Sequence, residues 1–94
     1  MHIGLCTIEL RLPGNSSLKG KRSVVKSITS RVSREFNVSI AEVEAQNRWQ
    51  RAVPGVACVS PSSSYAHGLL ERVVGWIETN RPDVELLEYR IEML

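Results

Sequence analysis

The chain of 94 residues is poor in aromatics (5%), holds only two cysteines, and has no apolar run near the roughly 18 residues of a membrane-spanning helix. Each shortage excludes something. Two cysteines cannot build a disulfide framework, and Cys6 and Cys58 form no CxxC pair. Both lie in apolar stretches, where a free thiol behaves as a small hydrophobe; buried reduced thiols are expected, with a cross-strand disulfide as the alternative. Glu9 and Arg11 interrupt the N-terminal segment, so it does not read as a signal peptide. A cytoplasmic protein with no membrane partner is expected.

Catalytic and cofactor signatures are also missing. No GxxxxGK[ST] or GxGxxG pattern occurs, so a nucleotide-binding loop is not indicated. No spacing of His, Cys, Asp or Glu suits a metal, and no cofactor is expected. His2 is terminal, and His67 has no Cys or Asp partner at a telling spacing. The serines at 62–64 read as a helix cap, and Glu42 and Glu44 as a surface pair. The chain reads as a non-enzyme.

What is present is ordinary globular material: 43% apolar and 23% charged, enough for one domain over residues 1–94. From His2 to Leu12 apolar and polar residues alternate, the period of a half-buried strand. Pro13, Gly14 and Asn15 end it, and Ser16 or Ser17 can cap a helix running from Leu18 to Phe36. Val24, Val25, Ile28, Val32 and Phe36 form that helix's apolar stripe, and Asn37 suits a left-handed stop.

Val38 to Ala45 is rich in strand formers but changes phase after Ile40, which predicts a bulge. A polar connection, Gln46 to Gln50, leads to a small-residue strand from Ala52 to Ser60 that is apolar on both faces, with Pro54 near its start or at a bulge. A second helix runs to Asn80 with Ala66, Leu69, Leu70, Val73 and Ile77 inward. Val84 to Leu94 is a final strand, with Leu87, Tyr89, Ile91 and Met93 opposing Glu88, Arg90 and Glu92. The order βαββαβ predicts an α+β, ferredoxin-like split βαβ fold. Four antiparallel strands would carry both helices on one face, with the first and third strands central.

The stretches IELRLPGNSSLKGKRSVVKSI, FNVSIAEVEAQNRWQRA and GVACVS resemble the YlxP-like family of small bacterial proteins, across essentially the whole chain. The SLKGKR and WQRA segments are the most specific parts. The resemblance implies a ferredoxin-like fold. Because such proteins are often encoded beside translation-initiation and ribosome-maturation factors, it also implies a cytoplasmic role near RNA or ribosomes.

Twelve Lys and Arg against ten Asp and Glu leave a net charge of only +2, but the charges are segregated. Lys19, Lys21, Arg22, Lys26, Arg31 and Arg34 fall within the first helix, where Glu35 alone opposes them and can pair with Arg31. The stretch from Glu71 to Leu94 is mainly acidic. Two readings follow: carboxylates elsewhere neutralise the helix, or Lys19, Lys21, Arg22 and Lys26 form a phosphate-tracking surface.

A second candidate is Arg48, Trp49 and Arg51, two guanidinium groups flanking an indole that could stack on a base; otherwise the indole plugs the edge of the core. The third strand lacks the aromatics by which RNA-recognition motifs stack bases, and the open sheet face is expected to carry Glu9, Glu42, Glu44, Glu88 and Glu92. The expected partner is therefore RNA or a ribosomal particle, met through the first helix and the Trp49 loop. A homodimeric regulatory or small-ligand module is the alternative, and an acylphosphatase-like hydrolase a distant one.

Overall fold

Alternation at the N-terminus becomes β1 (His2–Arg11), the central strand of the computed structural model, which describes all 94 residues. Ser17 caps α1 (Leu18–Glu35), its hydroxyl accepting from the Gly20 amide at 2.9 Å. β2 (Ser39–Glu44) and β3 (Arg51–Ser60) form a hairpin. Ser62 caps α2 (Ser63–Asn80), and β4 (Glu85–Met93) completes the βαββαβ order. The strands run β2-β3-β1-β4 in one antiparallel sheet. The fold is the expected α+β arrangement, with β1 and β3 central.

One core fills the space between the sheet and the two helices. Cys6, Ile8 and Leu10 of β1 and Ala52, Val56 and Cys58 of β3 point toward the helices. They meet Val25, Ile28 and Val32 of α1 and Leu69, Leu70, Val73, Val74 and Ile77 of α2. Burial of each Val, Ile or Leu side chain among them stabilises by about 1.5–3 kcal/mol. Gly4 permits the close approach of α2: a Cβ there would stand 2.9 Å from Leu70 Cδ1.

The departures from regularity have local causes. The expected bulge in β2 is present but lies later than the phase change after Ile40, between Glu42 and Glu44, opposite Pro54 and Val53 of β3. The β1–β3 register is interrupted between Thr7↔Gly55 and Leu10↔Ala52, so Pro54 sits where a missing amide donor costs little. A second bulge is unforeseen. Glu88 faces Glu9 while Leu86 faces Leu10, which leaves Leu87 over. Leu86 therefore packs on the core and Leu87 is exposed, reversing the expected phase at the start of β4. The end of α1 also differs. Phe36 caps it in extended backbone, and Asn37 adopts no positive φ.

Cys6 and Cys58 are both free and buried. Burial, with a smaller contribution from the Glu71 carboxylate, pushes the Cys6 thiol up to about 11. Unfolding returns it toward 9.0, so the unfolded chain gives up this proton first and stability falls between pH 9 and about 11. At pH 8 the folded protein should not react with a thiol reagent until urea unfolds it; rapid native labelling would contradict this burial. Ile8→Ala should lower the unfolding free energy by about 2–5 kcal/mol in urea titrations. Val59→Thr, at a position 64% exposed on the opposite face, should change it by less than about 0.5 kcal/mol.

Candidate functional site

A helix turns about 100° per residue, so the cations of α1 cannot all share one face. Lys19, Arg22 and Lys26 are three, four and seven residues apart and form an exposed outer stripe. Lys21 precedes Val25 by four residues, Ile28 by seven and Val32 by eleven, and these four are the buried residues of α1. Its spacing places Lys21 on the inner stripe.

There its ammonium is enclosed, with no exposed surface, 2.6 Å from Glu42 Oε2 of β2. It also donates to the carbonyl of Ala45. Lys21 is thus an internal cation and not part of a phosphate-tracking surface. Glu42 correspondingly turns to the helix side of the sheet and not to the open face. Its Oε2 accepts no hydrogen bond, so the ion pair with Lys21 is what that oxygen has in place of water.

Ala45 has φ 63°, the single non-glycine residue in the left-handed region. Such a residue costs on the order of 1–3 kcal/mol and persists only where its surroundings enforce it. Here the Ala45 carbonyl receives both Lys21 Nζ and the Arg48 amide, the latter at 3.0 Å. The turn from β2 into the loop is therefore held from inside the molecule.

The other end of the loop is tied to the start of α1. Asn15 Nδ2 donates to the Ser17 carbonyl at 2.7 Å and to the Trp49 carbonyl. Gln50 Nε2 donates to the Asn15 carbonyl at 3.1 Å, and the Leu12 amide to the Gln50 carbonyl at 2.9 Å. Gly20, which costs α1 about 0.8–1.0 kcal/mol relative to alanine, is explained by the same contact: a Cβ there would collide with Asn15 Oδ1.

Trp49 is 55% exposed and lies outside the hydrophobic cluster, so it is not a plug at the core edge. Arg48 beside it is exposed and has no carboxylate within 4.0 Å. Arg51 has a different place. It begins β3 on the open sheet face, where its guanidinium is paired with Glu9. The seven candidate residues therefore separate: Lys19, Arg22, Lys26, Arg48 and Trp49 are exposed, while Lys21 and Arg51 are engaged by carboxylates.

The remaining cations of α1 also find particular surroundings. Arg31 stacks over the Trp76 ring of α2 at 5.7 Å and makes no ion pair with Glu35. Arg34 is exposed without a carboxylate partner. On the opposite side of the molecule, Glu9, Glu44 and Glu88 surround a shallow depression with Thr7 and Arg90. No group of three His, Cys, Asp or Glu side chains is arranged to hold a metal ion, and no helix is long and apolar enough to cross a membrane.

Breaking the internal pair from one side should be expensive, because it strands a buried charge. Lys21→Met and Glu42→Leu should each destabilise by about 3–5 kcal/mol in urea titrations, and the double variant by clearly less than their sum. Lys19→Met and Lys26→Met should each stay within about 0.5 kcal/mol. Simple additivity of the first two would mean the pair does not exist in solution.

Comparison with known proteins agrees with the likeness carried by SLKGKR and WQRA. The family model described as "Protein of unknown function (DUF503)" matches residues 3–91. The "Uncharacterized protein YlxP" of Bacillus subtilis (strain 168) is 40% identical over 90 residues, covering 96% of this chain and 97% of that protein. Among solved structures, the "De novo designed protein Foldit4" superposes with a TM-score of 0.55 at 14% identity, over 100% of this chain and 97% of the design. That likeness is one of fold alone.

Proposed function

Since the chain belongs to the DUF503 family, whose description carries no activity, we propose from the site itself that the domain is a non-enzymatic RNA-docking module. It holds the phosphate backbone of RNA, free or within a ribosomal particle, along the outer stripe of α1. The observation that carries the reading is the alignment of Lys19, Arg22 and Lys26 on one exposed face, none with a carboxylate within 4.0 Å. Arg48, in the loop tied to the start of α1, is exposed and likewise has no carboxylate within 4.0 Å. Cations with no internal counterion gain most from an external polyanion, because binding releases the counterions condensed on its phosphates.

The opposite face supports the same orientation. Glu44 and Glu88, which have no cation within 4.0 Å, would repel a phosphate chain, so RNA approaches from the helix side. Phosphate contacts position a partner without reading its sequence, which suits an accessory role in the cytoplasm. Lys21 and Arg51, already paired, take no part.

With four contacts, the logarithm of the binding constant should fall against the logarithm of salt with a slope of about −3 to −4. Filter binding with structured RNA checks this. Arg22→Gln and Lys26→Gln should each weaken binding and flatten the slope by about one. No binding at low salt, or charge-reversed Arg22 and Lys26 with unchanged affinity, would remove the proposal.

A second reading, self-association through the open sheet face, has one observation in its favour. The half of that face away from the carboxylates is apolar, with Leu5, Ala57, Gly55 and the exposed Val43 and Val59 adjoining. Sedimentation at micromolar concentration separates the two readings, since a strict monomer has no use for that surface.

A further inference from the structure

We infer that the RNA segment taken by this domain is single-stranded, with one unpaired base stacking on Trp49. This rests on the proposed phosphate-binding role of the α1 stripe and adds to it the kind of strand that the site accepts. Phosphate contacts alone do not separate single strands from duplexes, because both present the same anionic backbone. An exposed indole does, because bases inside a duplex are already stacked on one another.

Three observations meet at Trp49. The residue is more than half exposed and contributes nothing to the hydrophobic cluster, which leaves a large aromatic surface available to a partner. Its backbone is fixed on both sides: the carbonyl accepts from Asn15, and the loop before it is held by the Lys21 contact to Ala45. Its sequence neighbour Arg48 is exposed and has no carboxylate partner, so its charge is free for the phosphate of the stacked nucleotide.

A loop whose backbone is already held loses little freedom on binding, so more of the stacking energy appears as affinity. The Asn15 amide that holds Trp49 also holds the Ser17 carbonyl at the start of α1. The loop carrying Trp49 is therefore tied to the start of α1, the helix that carries Lys19, Arg22 and Lys26. Lys21 acts on this site only as a positioning residue.

The test uses a Trp76→Phe variant, in which Trp49 is the sole indole. Short oligouridylate should quench its fluorescence, and an abasic strand of equal length should not. At equal salt, oligouridylate should bind more tightly than an RNA duplex of that length. Trp49→Ala should weaken oligouridylate by roughly 5- to 150-fold, the range for one stacked base, and leave duplex binding unchanged. Trp49→Phe should recover most of the loss, and circular dichroism should show all variants folded. Equal affinity for both forms with no effect of Trp49→Ala overturns this inference and leaves the proposed function standing. Failure of every polyanion to bind at low salt overturns both.

Discussion

An ammonium ion sealed beneath a helix is the constraint from which the functional surface follows. Taking Lys21 out of water costs several kcal/mol, and only a close counterion and further hydrogen-bond acceptors can offset that. The fold supplies Glu42 from β2 and the carbonyl of Ala45. Meeting those needs bends the chain: β2 bulges beside Glu42, Ala45 is held left-handed, and the segment to Trp49 leaves the sheet in one direction. Asn15 secures its far end against the start of α1. The loop is ordered without any apolar core of its own.

The same geometry sorts the charges. Helical phase sends one lysine inward and leaves Lys19, Arg22 and Lys26 outside, so the exposed stripe owes its lack of counterions to the sheet's carboxylates being elsewhere. Glu42 is consumed by Lys21, Glu9 by Arg51, and Glu85 by Arg11. The acidic C-terminal third does not reach across to neutralise the helix. The molecule therefore has a cationic helical side and an acidic, partly apolar sheet side. Each suits a different kind of contact.

Much of the fold was legible because strand and helix periods are strong signals where one face is buried. The bulge in β2 could be read from the phase change after Ile40. The one in β4 could not, because adjacent Leu86 and Leu87 leave two equally good registers and only pairing with β1 chooses between them. Asn37 looked like a left-handed stop, yet Phe36 ends α1 in extended backbone while its ring packs on the core. The site was legible in part. Counting cations along α1 grouped Lys21 with its neighbours, although its spacing to Val25 and Ile28 carried the contrary signal. The role of Glu42 was hidden, because the phase change after Ile40 points to a bulge before Glu42, whereas the bulge follows it and Glu42 keeps the phase of Ile40. Arg51 adjoins Trp49 in sequence, but strand alternation turns it to the other side of the sheet. Ala45 gave no warning at all: nothing about an alanine predicts a left-handed turn enforced by a distant lysine.

The state of Lys21 in solution tests this account most directly. The chain has three lysines, at positions 19, 21 and 26, so nitrogen-15 spectra of their side-chain ammonium groups are easily assigned. The account predicts that Lys21 alone gives a slowly exchanging ammonium signal at neutral pH, with a coupling or proton contact to Ala45. The other two should exchange too fast to observe. Three equally fast lysines would mean that the ammonium is in water, and the held loop and the sorted charges would lose their cause.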